Sequence, residues 1–262
     1  MTTQTTPLNN PFQPLKPHDA FLKFLLWGPP GSGKTCWALN SDRVAYISLE
    51  SGADRYSHLN IEATYPSSLK DIGDVIRFLR SGNHEYQTCV IDSISVVWSL
   101  FLEEYCPEGV KPDWVMVKTK WKRFLRAMLG LRMDVIAIGR SKDSRTDSQW
   151  YKRTGDLILD SEISTGFEFD YIGFAYSELQ EEWQDPLYRV RLEKVRDLTG
   201  RVKTGMVLTN TSFREFKQRA NAVLEEAEVP ESIQDFLKQE QQRQETMVIP
   251  EGLTPMKPEL LS

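Results

Sequence analysis

The sequence predicts an α/β protein, a three-layer sandwich around a mostly parallel sheet, with an antiparallel extension toward the C-terminus. Three features carry that expectation. Short apolar runs alternate with amphipathic helical stretches between residues 21 and 139, the pattern of buried strands joined by helical crossovers. A glycine-rich octapeptide separates the first apolar run from the first helix. Beyond residue 169 the period changes to two, in segments joined by a short polar turn, which marks antiparallel neighbours.

Taken in order, residues 1–19 are a polar Pro/Asn/Gln/Thr tail with too little apolar surface to order itself. Phe21 to Trp27 (FLKFLLW) is a nearly continuous apolar run, as a strand buried on both faces requires. After the glycine turn a helix begins near Lys34. Arg43 to Leu49 (RVAYISL) forms a second strand, Ser67 to Arg80 an amphipathic helix opened by serine caps, and Thr88 to Ile91 a third strand. Ile94 to Tyr105 and Val115 to Arg132 read as helices, and Asp134 to Gly139 (DVIAIG) as another buried strand. From Arg140 to about Thr165 the chain turns polar, too long for a routine connection, and is expected to be a functional loop. Phe169 to Ser177 and Leu187 to Val195 are strands, with Gln180 to Asp185 as their turn. Ser212 to Ala227 is helical in period, and Glu231 to Glu245 is a Gln/Glu-rich helix with little apolar face. The expected organisation is a flexible tail (1–19), a core domain (20–210) and a helical or disordered acidic tail (211–262).

With 262 residues, 40% of them hydrophobic and 26% charged, the chain has material for one well-packed core plus appendages. No window holds the roughly 20 apolar residues of a membrane span, and the N-terminus is not charged-then-apolar like a signal peptide. A soluble, cytoplasmic protein without a membrane partner is expected. Three cysteines without CxxC spacing and three scattered histidines argue against a disulfide framework or a structural zinc site. The net charge of −5 hides an uneven distribution: Lys118 to Arg153 holds eleven Lys/Arg against three Asp, while Glu225 to Ser262 holds nine acids against three bases. A basic region of +8 inside an acidic protein is the electrostatic footprint of a polyanion-binding surface.

The octapeptide Gly28-Pro29-Pro30-Gly31-Ser32-Gly33-Lys34-Thr35 fits G-x-x-x-x-G-K-[ST] between a buried strand and a helix, where such a loop wraps backbone N–H groups around phosphates. Lys34 is placed to reach the β- and γ-phosphates of ATP, and the Thr35 hydroxyl to ligate Mg²⁺; Cys36 follows in the same turn. The apolar strand Cys89-Val90-Ile91 delivers Asp92 at its C-terminal end, the second metal-side carboxylate. Its alternative role is a helix cap, which Ser93 could equally serve. Glu50 closes the strand after the phosphate-loop helix, where a carboxylate facing the γ-phosphate can polarise water; the alternative is a bland strand-end carboxylate. Arg140 follows the Asp134–Gly139 strand and can pair with phosphate.

These residues resemble RecA-like ATPases, in which the water-polarising glutamate ends the strand after the Walker A helix instead of neighbouring the Walker B aspartate. The phrases GPPGSGKT, YISLESGAD, VIDSIS, Arg140-Ser-Lys142, Gly166-Phe-Glu-Phe-Asp170 and Lys194-Val-Arg196 with Leu198-Thr-Gly200 together look like phage-type RecA-like ATP-binding proteins of single-strand annealing and recombination. The resemblance covers about Phe21 to Gly205 and implies a RecA-like P-loop NTPase fold, Mg²⁺-dependent ATP hydrolysis, DNA as a partner and a homo-oligomer. One departure is Arg140, which stands where RecA has glutamine. The resemblance also implies that Lys194 and Arg196 reach a neighbouring subunit's γ-phosphate as a trans finger; the alternative is two solvated strand cations.

Within the basic region, Lys118, Lys122 and Arg126 recur at i, i+4 and i+8 beside the apolar stripe Val117, Trp121, Phe124, Leu125 and Met128, so the cations share a flank able to track a phosphate backbone. Lys142, Arg145, Lys152 and Arg153 surround Trp150 and Tyr151, the mixture of cations and aromatics that single-strand binding uses. Solvated charge and core aromatics are the plain alternatives. The leading expectation is a DNA-dependent ATPase of recombination or annealing. A RecA-core ATPase remodelling or loading a replication or recombination partner such as a helicase is the second, and a small-molecule phosphotransferase, against which the antiparallel C-terminal extension and the placement of Glu50 argue, the third.

Overall fold

The computed structural model of the protein describes residues 21–145, 153–179, 186–196 and 201–221. Six apolar runs of the sequence form the sheet. β1 (Lys23–Gly28), β2 (Val44–Ser48), β4 (Thr88–Asp92) and the first half of β5 (Asp134–Arg145) are parallel, β7 (Tyr171–Leu179) joins β1 in parallel, and β8 (Pro186–Val195) returns antiparallel. Two three-residue strands, β3 (Glu62–Thr64) and β9 (Val207–Thr209), close the edges, giving the order β3-β2-β4-β5-β1-β7-β8-β9. The α/β sandwich with a parallel centre and an antiparallel extension is therefore the architecture observed.

Strand alternation divides the core into two layers. Phe24, Leu26, Tyr46, Val90, Ile136 and Ile138 face α1 (Lys34–Leu39) and α5 (Phe213–Asn221), whereas Leu25, Ile47, Ile91, Val135 and Ala137 face α2 (Leu69–Ser81), α3 (Ile94–Tyr105) and α4 (Trp114–Leu129). Ser68, Ser93 and Asp113 cap α2, α3 and α4 by accepting backbone N–H bonds, satisfying donors the first helical turn leaves orphaned.

Two expectations are corrected. The polar stretch after Arg140 is not a loop from its start: β5 runs on to Arg145 and pairs antiparallel with β6 (Arg153–Leu159), a hairpin extending beyond the packed sheet. Its backbone bonds need no apolar period, so the pattern gave no strand signal. The core also continues beyond residue 210. Phe213 and Phe216 of α5 are 1% exposed and pack edge-to-face against Phe24, Trp37 and Tyr171, so the segment after 211 begins as core. The Glu231–Glu245 helix, the 1–19 tail and the Gln180–Asp185 turn lie outside the described residues.

At the lower end of the sheet, Lys23 is 9% exposed and donates to the Leu131 and Met133 carbonyls at 2.8 and 2.6 Å. Asp134, 1% exposed, accepts from Leu22 N–H at 2.8 Å and lies 2.7 Å from Lys217 Nζ, which fastens α5 across the strand ends. Burial pushes the Lys23 ammonium from 10.5 down to about 8, against the attraction of Asp134.

Phe216→Ala should destabilise the fold by about 3–5 kcal/mol, the usual cost of emptying a buried aromatic site, read from the denaturant midpoint. Between about pH 8 and 10.5 the unfolded chain keeps a proton that folded Lys23 has released, so stability rises with pH in that window. Lys23→Met should flatten this rise, measured as unfolding free energy against pH.

Candidate functional site

Parallel register determines which side chains can meet. Ser48 is level with Asp92, Asp92 with Ile138, and Gly28 with Arg140, so the ends of β2, β4, β5 and β1 present their next residues at one rim. Open parallel sheets bind ligands at this rim. The chain leaves β1 through Gly28, at φ 152°, where a Cβ would lie 2.1 Å from the Ala175 carbonyl oxygen; only glycine fits so close to β7. Gly33, at φ 78° before α1, has the Tyr188 ring where a side chain would stand. Both are positions that glycine alone fills without strain.

Inside this turn Lys34 Nζ donates to the Gly28 and Pro29 carbonyls at 2.9 and 2.6 Å and approaches Ser32 Oγ at 3.3 Å. Burial lowers its pKa, partly offset by the charges of Asp92 and Glu50. Thr35 Oγ1 donates to Asp92 Oδ2 at 2.7 Å, and the Tyr46 hydroxyl donates to the same oxygen at 3.1 Å. Asp92 is 5% exposed, and burial raises its pKa while the two hydroxyls pull it down. Glu50 lies two residues beyond β2, with Oε1 2.7 Å from Arg140 Nε. Burial pushes the Glu50 carboxyl up, but hydrogen bonds from Arg140 and Ser93 and the charges of Arg140 and Lys34 prevail and hold it below its ordinary value.

A cleft of about 310 Å³ thus gathers Gly28, Pro30, Gly31, Ser32, Gly33, Lys34, Thr35, Glu50, Asp92 and Arg140. Pro29 contributes through its carbonyl, and Cys36 lines a neighbouring cavity of about 610 Å³. That cavity brings in residues the sequence did not single out: Tyr56, Tyr188, Arg189 and Asn210. Tyr188 and Asn210 fix each other, Asn210 N–H donating to the Tyr188 carbonyl at 2.8 Å and Tyr188 N–H to Asn210 Oδ1 at 3.0 Å. Asn210 directly follows β9 at φ 47°, and no local sequence pattern announced it.

The remaining candidates stand apart. Lys194 is level with Ile172, which is level with Leu25, toward the opposite end of the sheet from Gly28. Its Nζ donates to the Gly166 and Phe167 carbonyls at 3.0 Å, and Arg196 pairs with Asp170 at 3.3 Å while also donating to the Phe167 carbonyl. Neither belongs to this chain's own cleft; both brace the turn before β7. Lys118, Lys122 and Arg126 are exposed on α4, as the stripe of Val117, Trp121, Leu125 and Met128 is buried. Lys118 lies 3.6 Å from Glu162 and Lys142 2.8 Å from Asp160. Arg145 and Arg153 are cross-strand partners of the hairpin; Trp150, Tyr151 and Lys152 lie outside the described residues.

Residues 20–219 match the AAA domain family. The chain belongs to the AAA domain family. Among solved structures it is similar to one titled "Crystal structure of the RadB recombinase", with 20% identity, a TM-score of 0.49, and coverage of 72% of this chain and 87% of that one. No curated protein matches it. An AAA domain is a nucleotide-hydrolysing P-loop module, and the cleft holds the loop, the lysine and the paired hydroxyl and carboxylate that this chemistry uses. Thr35 Oγ1 and Asp92 Oδ2, hydrogen-bonded to each other in the cleft, are both oxygen ligands of the kind that suits Mg²⁺.

The larger cavity lies directly beside Lys34 and Gly33, where the nucleoside of a triphosphate held in the loop has room. Tyr188→Ala should weaken nucleoside triphosphate binding by about 1–3 kcal/mol, the scale of one base–aromatic stack, while leaving inorganic tripolyphosphate binding unchanged in calorimetric titration.

Proposed function

We propose that the protein is a Mg²⁺-dependent, RecA-like ATPase of DNA recombination or single-strand annealing that grips single-stranded DNA and works as a homo-oligomer. The observation that carries the ATPase reading is the placement of Glu50: it lies two residues beyond β2, the strand next to that of Asp92, and shares one cleft with Lys34, Thr35 and Arg140. In this reading the loop's N–H groups cradle the phosphates, and Lys34 moves from its own loop carbonyls to the β- and γ-phosphates. Thr35 and Asp92 hold Mg²⁺, which when bound neutralises charge on the β- and γ-oxygens. Tyr46 keeps the Asp92 carboxylate aimed, and Glu50 orients and polarises the attacking water.

The DNA reading rests on the +8 region between Lys118 and Arg153 and on the hairpin that begins one residue beyond Arg140. Lys118, Lys122 and Arg126 supply an exposed basic flank, and the sequence from Lys142 to Arg153 adds Arg145, Lys152, Trp150 and Tyr151. In an oligomer, Lys194 and Arg196 act on the neighbour's γ-phosphate, for which they stand free of this chain's own cleft. A specific observation favours the second reading, action on a protein partner such as a helicase: Ile163 and Phe167, four residues apart in the segment before β7, are 89% and 73% exposed, apolar surface of the kind that protein contacts cover.

Steady-state ATP hydrolysis measured with and without single-stranded DNA at two salt concentrations separates these. Stimulation by DNA that fades with salt, as phosphate contacts require, is expected. Lys34→Ala and Glu50→Gln should each lower turnover by about 10²–10⁴-fold, the range for a lost catalytic proton-handling or charge-stabilising group. Hydrolysis indifferent to DNA would move the assignment to the protein-directed reading. Turnover of Glu50→Gln near wild type would remove Glu50 from catalysis.

A further inference from the structure

A cavity of about 770 Å³ opens at the lower end of the sheet, where α1 ends and β2 begins. Asn40, the residue after α1, lines both this cavity and the one at Tyr188. Phe78 of α2 and His84 and Tyr86 of the following loop give it a row of rings with centroids 5.7 and 5.4 Å apart. The polar edges of that row are already used. His84 Nε2 donates to the Leu79 carbonyl at 2.8 Å, its Nδ1 accepts from Tyr86 N–H at 3.2 Å, and the Tyr86 hydroxyl bonds to Glu62. A carbonyl can only accept and an N–H only donate, so the imidazole is the Nε2–H tautomer, and the row has its faces left to offer a ligand.

The rest of the lining is polar and balanced, with Arg43 and Arg214 set against Glu62 and Glu85. Arg214 is tied to Asp42 and to the Ser41 carbonyl at 2.9 and 3.1 Å. Arg43 pairs with Glu85 at 3.4 Å, with 57% of the arginine and 91% of the glutamate side chain exposed, an ion pair that a ligand opens at little cost. The side-chain amides of Asn60 and Asn83 line the same cavity and have no partner among the described residues. Arg43 stands at φ 40° and Asn60 at φ 55°. Asparagine tolerates this left-handed region and arginine seldom enters it. Arg43 is held there because its carbonyl accepts from Gln87 and Thr88 N–H at 2.9 and 3.4 Å. A strained residue fixed by its surroundings beside a cavity points to a use for its side chain.

We propose that this cavity binds an uncharged nucleoside, separately from the phosphate loop. The base lies on the row of rings, since a flat heteroaromatic ligand is the kind that uses ring faces whose edges are spent. The Arg43–Glu85 pair opens to present a donor and an acceptor to the edge of the base, and the amides of Asn60 and Asn83 take the sugar hydroxyls. Because the charges lining the cavity cancel, a phosphate brought into it would find no excess of cations, and an ion without a matching charge is costly to desolvate. The two sites therefore divide their ligands by charge, polyphosphates at the loop and the unphosphorylated nucleoside here. The volume is that of an ordinary small-molecule pocket with a few placed polar groups.

The test is titration calorimetry of adenosine, guanosine, cytidine and thymidine into the full chain, with inorganic tripolyphosphate present to fill the phosphate loop. At least one nucleoside should bind, and its 5′-monophosphate should bind more weakly. Phe78→Ala should lower the affinity about tenfold, the scale of one base–aromatic stack; Phe78 is 50% exposed, so the fold should tolerate its loss. Arg43→Gly relieves the left-handed backbone and should keep or raise the melting temperature while weakening the nucleoside several fold. That opposite movement of stability and affinity is one that a merely structural role for Arg43 would not produce. Binding should survive Tyr188→Ala. Binding lost in Tyr188→Ala and retained in Phe78→Ala would put the nucleoside in the neighbouring cavity and overturn the proposal, as would no binding of any of the four. Full affinity in Arg43→Gly, or tighter binding of the monophosphate, counts against it too. Displacement of the nucleoside by a short single-stranded oligonucleotide would assign the base to a strand and overturn the free-nucleoside reading. None of these readouts depends on ATP hydrolysis.

Discussion

Parallel pairing of β2, β4, β5 and β1 is the constraint on which the remaining features depend. Because parallel neighbours hold a fixed level, the residues that follow Ser48, Asp92, Gly139 and Gly28 arrive at the same rim from separate stretches of chain. Parallel strands in turn require crossovers and two covered faces, which is why every one of these runs is apolar and why helices lie on both sides. β1 carries the heaviest demand. It is flanked by β5 and β7, and its exit at Gly28 passes so close to Ala175 that no side chain fits. The phosphate loop is thus clamped by the neighbouring strand β7 as well as by its own motif.

Two buried aspartates at opposite ends of this sheet differ in how their surroundings meet the carboxylate charge. Asp134, 1% exposed, has a backbone N–H on one oxygen and Lys217 beside the other. Its charge is matched within the protein, and it ties α5 to the strand ends. Asp92, 5% exposed, receives hydroxyls from Thr35 and Tyr46 on a single oxygen. Hydroxyls satisfy hydrogen bonding but supply no counter-charge, and a buried carboxylate without a bonded cation is costly. Equal burial with unequal neutralisation marks Asp92 as the carboxylate that has an affinity for a cation to spare.

Much of this was legible because the chemistry lies in contiguous segments. Gly28 to Thr35, Asp92 after Ile91, and Glu50 after the second strand are each readable from a few residues and their position relative to an apolar run. Other features were hidden for identifiable reasons. The β5–β6 hairpin leaves the packed sheet, so its pairing imposes no hydrophobic period on Arg140 to Leu159. The cavity at Tyr188 and Asn210 is assembled from segments far from Gly33 in the chain, and nothing local announces it. Phe213 and Phe216 repeat three apart, the spacing of a helix face, but whether that face is buried depends on Phe24 and Trp37, nearly two hundred residues away. Lys194 lies near the end of β8 and Arg196 one residue beyond it, and what the expected alternation could not reveal is that both donate to the carbonyl of Phe167.

The basic region shows why charge counted along a sequence overstates a field. Between Lys118 and Arg153 the excess is +8, yet the next nine residues contain Asp156, Asp160 and Glu162 and no cation, which brings the excess over 118–162 to +5. The fold sets two of those acids directly against the basic surface, Glu162 at Lys118 and Asp160 at Lys142. The Lys142–Asp160 pair is exposed on both sides and contributes little stability, while Glu162 is buried beneath a half-exposed Lys118; both acids lower the local potential. Lys122 and Arg126, one and two turns farther along α4 from Lys118, lie beyond that neutralisation and hold the stronger claim on a phosphate backbone. A polyanion drawn to this surface therefore meets its strongest attraction along the C-terminal half of α4, and its approach toward the hairpin is moderated by acids that the same chain supplies.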